Sequence, residues 1–334
     1  MKIFATVIVL LSAAAAALAN VTVDGSRDVD YGALRAVQAV QTGFGDANPP
    51  GALGGSELDA AYATIANGRL YLLFTGNHEP NFNKFEVFID SRAGGENTLS
   101  GTPGYDFFNG SAWISQGLTG LTFDAGFAAD YHLFSRWGSG TGSYNVDLVN
   151  RQGGGSATVP GSSGSSPNAV GLIAAGSIAP GNVGTNASGT ALTQALEFAI
   201  NDNNAAGVTG GSGAANVADA AAVTTGMEFS IALADLGNPA SGSTILIAAM
   251  INNGDHNYLS NQILGPLAPP QGNLGGDGNG GFIGNLGGMN FNQFTGAQYF
   301  GIVVPDVVPE PSSAGLFALA VIALAARARR RLHR

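Results

Sequence analysis

Apolar and polar positions alternate along several short stretches of this chain. In Lys84-Phe85-Glu86-Val87-Phe88-Ile89-Asp90, Phe85, Val87 and Ile89 share one face and Glu86 and Asp90 the other, with Phe88 interrupting the polar side. A period of two is the pattern of a half-buried strand. Tyr144-Asn145-Val146-Asp147-Leu148 and Met227-Glu228-Phe229-Ser230-Ile231-Ala232-Leu233 alternate in the same way, and Leu196, Phe198 and Ile200 are spaced around Glu197. Each predicts a strand with one wet and one dry face. The runs 70–74 and 245–251 are apolar throughout, which predicts strands at sheet centres with both faces covered. A short last strand is predicted over 298–304.

Turn chemistry separates these runs. Asn67-Gly68 joins Tyr62-Ala63-Thr64-Ile65 to Arg69-Leu70-Tyr71, the strongest short-range signal for a two-residue hairpin. The stretch 152–188 is rich in Gly and Ser around one apolar island at 169–175, and reads as a long surface loop or loose strand connection. Gly accounts for 51 of the 334 residues, consistent with many turns and no long helix. Strands at short intervals without alternating helices predict an all-β fold: an antiparallel, jelly-roll-like β-sandwich with long Gly/Ser/Asn-rich loops, one domain over residues 20–306.

The two ends read as addresses. Met1-Lys2, an apolar run over 3–18 and Ala17-Leu18-Ala19 follow the order of a signal peptide, residues 1–19, cut by signal peptidase between Ala19 and Asn20. Residues 307–334 contain Pro309-Glu310-Pro311, an apolar run over 314–326 and an Arg-rich terminus. As a helix, that run reaches only about 20 Å against a hydrocarbon core of about 30 Å. This tripartite tail resembles the PEP-CTERM sorting signal of exported bacterial proteins. The resemblance implies recognition and removal by an exosortase in bacteria that make exopolysaccharide. The expected address is the cell surface or the extracellular space, with transient anchoring in the inner membrane by a short C-terminal transmembrane helix. The Arg cluster would stay on the cytoplasmic side.

Charge narrows the partners. The chain has 13 Lys and Arg against 23 Asp and Glu. Without the two ends, seven basic residues (Arg27, Arg35, Arg69, Lys84, Arg92, Arg136 and Arg151) face 22 acidic ones, a net charge of -15. No Lys or Arg occurs from Gln152 to Ala326. A nucleic-acid partner needs a basic patch and is excluded on this ground. There is no Cys, so neither disulfides nor thiolate chemistry can contribute.

A second resemblance rests on Val23-Asp24-Gly25, then Asn67-Gly68-Arg69-Leu70-Tyr71-Leu72 leading to Phe85-Glu86-Val87-Phe88-Ile89-Asp90, and Met227-Glu228-Phe229-Ser230-Ile231-Ala232-Leu233 with Leu236-Gly237. This order of strands is similar to family-nine-like carbohydrate-binding modules and DOMON-like domains, β-sandwiches that bind sugars or, in some branches, haem. A sugar platform needs exposed aromatic rings beside amides and carboxylates. Trp113, Trp137, Tyr131 and Tyr258 are the candidates, each with the alternative of an ordinary core position. Calcium is the candidate cation, because Asn/Asp/Gly loops supply its oxygens: Asp202 and Asn204, Asp255 and Asn257, and Asp277. The alternative for those loops is turns that use Asn and Gly for positive φ. No H-E-x-x-H, G-x-S-x-G or P-loop motif is present. The best acid-base pair, Asp255-His256, would need a turn for its two side chains to cooperate. The expected function is therefore non-catalytic binding of extracellular polysaccharide. The alternatives are a structural or adhesive matrix protein without a small-ligand site and, third, a polysaccharide-acting hydrolase.

Overall fold

Asn67 and Gly68 form the predicted two-residue turn, with φ of 52° and 72°, both positive as a type I′ hairpin requires. A Cβ added at Gly68 meets nothing within 4 Å, so Gly68→Ala carries only the left-handed backbone penalty. Denaturant unfolding should show a loss of about 1 kcal/mol.

The computed structural model describes residues 20–46, 55–138, 143–152, 172–178, 185–187 and 192–306. The segment 1–19 and the tail 307–334, including Pro309, Glu310 and Pro311, lie outside them. The described elements in chain order are β1 (Ala36–Val37), β2 (Glu57–Ala66), β3 (Arg69–Asn77), β4 (Asn81–Asp90), β5 (Tyr131–Gly138), β6 (Tyr144–Asn150), β7 (Leu172–Ile178), β8 (Thr185–Ala187), β9 (Leu196–Ile200), α1 (Val217–Ala222), β10 (Gly226–Ala232), β11 (Thr244–Asn252), β12 (Leu259–Leu264) and β13 (Phe300–Val303). No helix among the described residues is long and apolar enough to cross a membrane.

One sheet runs β1-β2-β3-β10-β9-β8 and the other β12-β11-β4-β5-β6-β7, with β13 paired to β11. All strand pairs are antiparallel. The two all-apolar runs fall on β3 and β11, each flanked on both sides. Leu70, Leu72 and Phe74 of the first sheet share one core with Phe85, Val87 and Ile89 of the second, and the Phe74 and Phe85 rings meet edge to face at 5.0 Å. The inner faces of both sheets are therefore the dry faces that the alternation predicts.

The outer faces correct the sequence reading. Glu86 and Glu228, expected to be wet, are both 0% exposed. On the first sheet the N-terminal segment covers Glu228, whose carboxylate accepts the backbone N–H of Asp24 and Gly25 and the Tyr31 hydroxyl. On the second sheet Phe88, Phe134, Ala248 and Met250 face a second core made with Leu99, Tyr105, Leu118, Phe123 and Phe127 of the β4–β5 connection and with Leu274, Leu286 and Phe291 of the β12–β13 connection. Phe88, which breaks the polar side of its strand, does so because that side is a core as well. Alternation shows that the two faces differ in polarity; only the cover decides whether the polar one is wet.

Candidate functional site

The cover of the second sheet is pinned by charged and polar side chains with 0 to 4% exposure. Lys84 and Glu86 of β4, His132 and Arg136 of β5, Asp147 of β6 and Asn252 of β11 share its outer face, following the registers Lys84↔Arg136, Phe134↔Asp147 and Asn252↔Lys84. Glu86 accepts from His132 Nε2 at 2.6 Å and His256 Nδ1 at 2.7 Å, and from the Asn252 amide at 3.1 Å. Across the ring, His256 Nε2 lies 3.1 Å from Asp106. Asp106 also pairs with Lys84 at 2.8 Å and Arg136 at 3.4 Å, and Arg136 reaches Asp147. At the other end His132 Nδ1 meets the Tyr105 hydroxyl at 2.6 Å, which accepts from Arg151, itself paired with Glu96.

These contacts assign the protons. Burial alone would push the Glu86 and Asp106 carboxyls up, but His256 and His132 around the one, and Arg136, Lys84 and His256 around the other, hold both well below the usual carboxylate range. Burial pushes His132 down to about 4 despite Glu86, so it is neutral, donates from Nε2 and accepts the Tyr105 proton at Nδ1. Burial opposes the charge on His256 too, but carboxylates at both ring nitrogens win and raise its pKa; it is an imidazolium donating twice. Glu86, Glu96, Asp106 and Asp147 thus face His256, Arg136, Arg151 and Lys84, and burial pushes the Lys84 pKa down against the pull of Asp106. Buried ions persist only when paired in this way.

Two network residues point inward from left-handed backbone, Asp106 at φ 66° and His256 at φ 58°, an uncommon conformation for non-glycine residues. Their chain neighbours consequently point out. Phe107 follows Asp106, while Asp255 and Asn257 flank His256, and all three line a groove of about 510 Å³ together with Trp113, Asn109, Gln116 and Asn285. A short 3-10 helix, Ile114–Leu118, begins directly after Trp113. A Cβ on Gly117 would come within 2.3 Å of the Asp255 carbonyl oxygen, so the missing side chain is what lets this helix close against the 255–257 turn. Gly117 also accepts the Leu286 N–H, which ties in the third wall.

The groove floor is half-buried Trp113, with the exposed Phe108 ring edge-on at 5.3 Å and Phe107 56% exposed beside it. The amide orientations follow from their partners. Asn109 Oδ1 accepts backbone N–H groups of Ser111 and Ala112, Asn285 Oδ1 that of Gly287, and Asn257 Oδ1 the Asn253 amide. With each oxygen already accepting at least one bond, the N–H donors are the groups that these three amides have most free for a ligand. Asp255, exposed, is the only carboxylate among the lining residues.

The other predicted aromatics lie elsewhere. Tyr131 is 2% exposed in the main core, with the Arg92 guanidinium over its ring at 4.8 Å, so neither ring face is open to a sugar. Trp137 packs against the main core and meets Tyr144 at 6.0 Å. Tyr258 stacks on Phe44 at 6.3 Å and donates its hydroxyl to the Gly280 carbonyl. Of the residues expected for calcium, Asp255 and Asn257 line the groove, and the other three are engaged within their own surroundings. Asp202 accepts the His78 N–H, and burial pushes its carboxyl up to about 7. Asn204 donates to the Gly76 carbonyl and to Thr225. Asp277 accepts the N–H groups of Asn279 and Gly281 within its own turn. Among the described residues no three His, Asp or Glu side chains gather to hold a metal ion. Sequence reasoning misses Phe107, Asn109, Gln116 and Asn285; the usable signal is the cluster of Phe107, Phe108 and Trp113 with Asn109 and Gln116 in one polar loop.

Comparison with known proteins identifies one segment: residues 307–331 match the PEP-CTERM protein-sorting motif. The motif indicates an exported, cell-surface-directed protein processed by an exosortase. No curated protein and no solved structure matches the chain, so the likeness to carbohydrate-binding and DOMON-like domains rests on the strand pattern alone.

Proposed function

We propose that this exported protein is a non-catalytic binder of extracellular polysaccharide, and that the groove around Trp113 is its binding site. The two sheets about a common core are read here as a jelly-roll-like β-sandwich that carries the groove on its loops. The observation behind the reading is the juxtaposition of an indole, an exposed phenyl ring, three amide donors and one carboxylate in a single groove. An aromatic face packs against the C–H surface of a sugar, while amides and a carboxylate take its hydroxyls. Hydrolysis of a glycosidic bond uses two carboxyl groups across the scissile bond, and only one carboxylate lines this groove. The sorting motif supports the same reading, since its resemblance is to signals found in bacteria that make exopolysaccharide.

Trp113→Ala is expected to weaken saturable binding of the purified protein to a polysaccharide panel by at least about tenfold, the loss expected of a central aromatic anchor. Trp137→Ala, altering a residue that packs on the main core, should leave affinity unchanged in the folded fraction. Titration of both variants against the wild type decides the matter. No saturable binding to any glycan would overturn the reading in favour of a structural or adhesive role in the matrix.

A further inference from the structure

Charge restricts the ligands of this groove more narrowly than shape does, a restriction that rests on the polysaccharide-binding reading. All seven Lys and Arg residues between positions 20 and 306 fall among the described residues, and none lines the groove. Lys84, Arg136 and Arg151 are 2 to 4% exposed and paired with Asp106, Asp147 and Glu96 behind it. Arg92 is engaged with Asp130 and Asn150, Arg69 with Ser230 and Gln194, Arg27 with Tyr62, and Arg35 with the Ala63 carbonyl. The histidines supply no cation to the groove either, since His78, His132 and His256 are all 0% exposed. No Lys or Arg occurs from Gln152 to Ala326, so the turn at 255–257 and the wall at 284–285 belong to a stretch without basic residues. The one acidic residue lining the groove is Asp255, which is exposed.

A sugar carboxylate entering this groove meets a fixed negative charge, with no arginine or lysine to pair with it. The amide donors of Asn109, Asn257 and Asn285 serve hydroxyl oxygens as well as carboxylate oxygens, so they do not discriminate. Discrimination then falls to the repulsion at Asp255, set against the hydroxyl hydrogen bonds that the same carboxylate accepts from an uncharged sugar.

We propose that the Trp113 groove selects polysaccharide segments whose sugar units carry no negative charge, and that Asp255 is the residue that rejects uronic-acid units.

The test pairs neutral glycans with their carboxylated counterparts, for example galactan with polygalacturonate and cello-oligosaccharides with cellouronates. Wild type, Asp255→Asn and Trp113→Ala are titrated at low and at 0.5 M salt, with thermal unfolding as a check that each variant is folded. The expected result is binding of at least one neutral glycan, about tenfold or more above its uronate counterpart at low salt. Asp255→Asn should bring that ratio to within about threefold, and high salt should narrow it, because the Debye length shrinks from about 10 Å at 0.1 M towards about 3 Å at 1 M and screens an exposed carboxylate. Equal affinity of the wild type for a neutral glycan and its uronate counterpart, or a ratio that Asp255→Asn leaves unchanged, would overturn the charge selection while leaving the groove as a sugar site. Binding that survives Trp113→Ala undiminished, or no glycan binding at all, would overturn the groove reading and the selection with it.

Discussion

Glu86→Gln is expected to lower the free energy of unfolding by about 3–5 kcal/mol, the cost of removing one partner from a buried ion pair. The Glu86 carboxylate accepts three hydrogen bonds at 0% exposure. A glutamine offers one oxygen where two were used and turns an N–H pair towards a histidine donor. It also removes one of the two carboxylates that keep His256 charged, leaving that imidazolium with Asp106 alone. Unfolding in denaturant, followed by far-ultraviolet circular dichroism, measures the loss. The milder Tyr105→Phe removes only the hydroxyl between His132 and Arg151. It should cost about 1–3 kcal/mol for the groups left unpartnered, and it provides a reading if the Gln variant does not fold. Both variants should also weaken glycan binding, because Asp106 and His256 set the direction of Phe107, Asp255 and Asn257. A loss below about 1 kcal/mol for Glu86→Gln, well under the buried-pair cost, would show that the apolar cluster of Phe88, Phe123, Phe134 and Leu286 holds the cover in place by itself.

That network also marks the limit of sequence reasoning. Strand positions, the Asn67-Gly68 hairpin and the dry inner faces are legible because alternation, apolar runs and turn residues are local signals. The fate of the outer faces is not, because it depends on loops distant in the chain. Two local hints are present. Lys84, Glu86 and Phe88 share one strand face, and so do His132, Phe134 and Arg136; a face that mixes charges with phenyl rings is a poor solvent face. Three of the seven basic residues, Lys84, Arg136 and Arg151, are buried in this network, which in so acidic a chain leaves little positive charge for the surface. At the groove, the indole of Trp113 stands out by residue type, whereas its companions do not. Asn109 and Asn285 lie far apart in the chain, with Asp255 between them, and the closure at Gly117 brings them together. Asp255 and His256 do meet the turn that their adjacency requires, but the turn separates the two roles, with His256 inside the network and Asp255 facing solvent.

Stability should fall as the pH rises from 6 to 8. Burial pushes the carboxyls of Asp59, Asp202 and Glu228 each up to about 7. A group with a raised folded-state pKa stabilises fully below its unfolded value, about 4 for a carboxyl, and that contribution is lost as pH rises through the folded value. His256, also raised, acts in the same direction above about 6.5. Burial lowers His78 and His132 to about 4, so they favour the folded state more as pH rises, but only up to about 6.5, the unfolded value. Glu86 and Asp106, held low, matter only in acid. Between about 4.5 and 6.5 the two sets oppose each other and the curve is shallow; above about 6.5 only the destabilising set still titrates. Each of the three carboxyls contributes roughly 1.4 kcal/mol of loss across the interval, one pH unit's worth of a bound proton. His78 and His132 return part of that loss and His256 adds to it, so the net remains a fall of roughly a few kcal/mol. Denaturant unfolding at pH 6, 7 and 8 measures it, and Asp59→Asn, neutral throughout, should flatten the curve by about one carboxyl's share. A level profile from pH 6 to 8 would mean that the interior carries these carboxylates ionised without cost. The burial that places Glu228 beneath the N-terminal segment and Asp59 beneath Gly207 would then have left them better solvated than their positions imply.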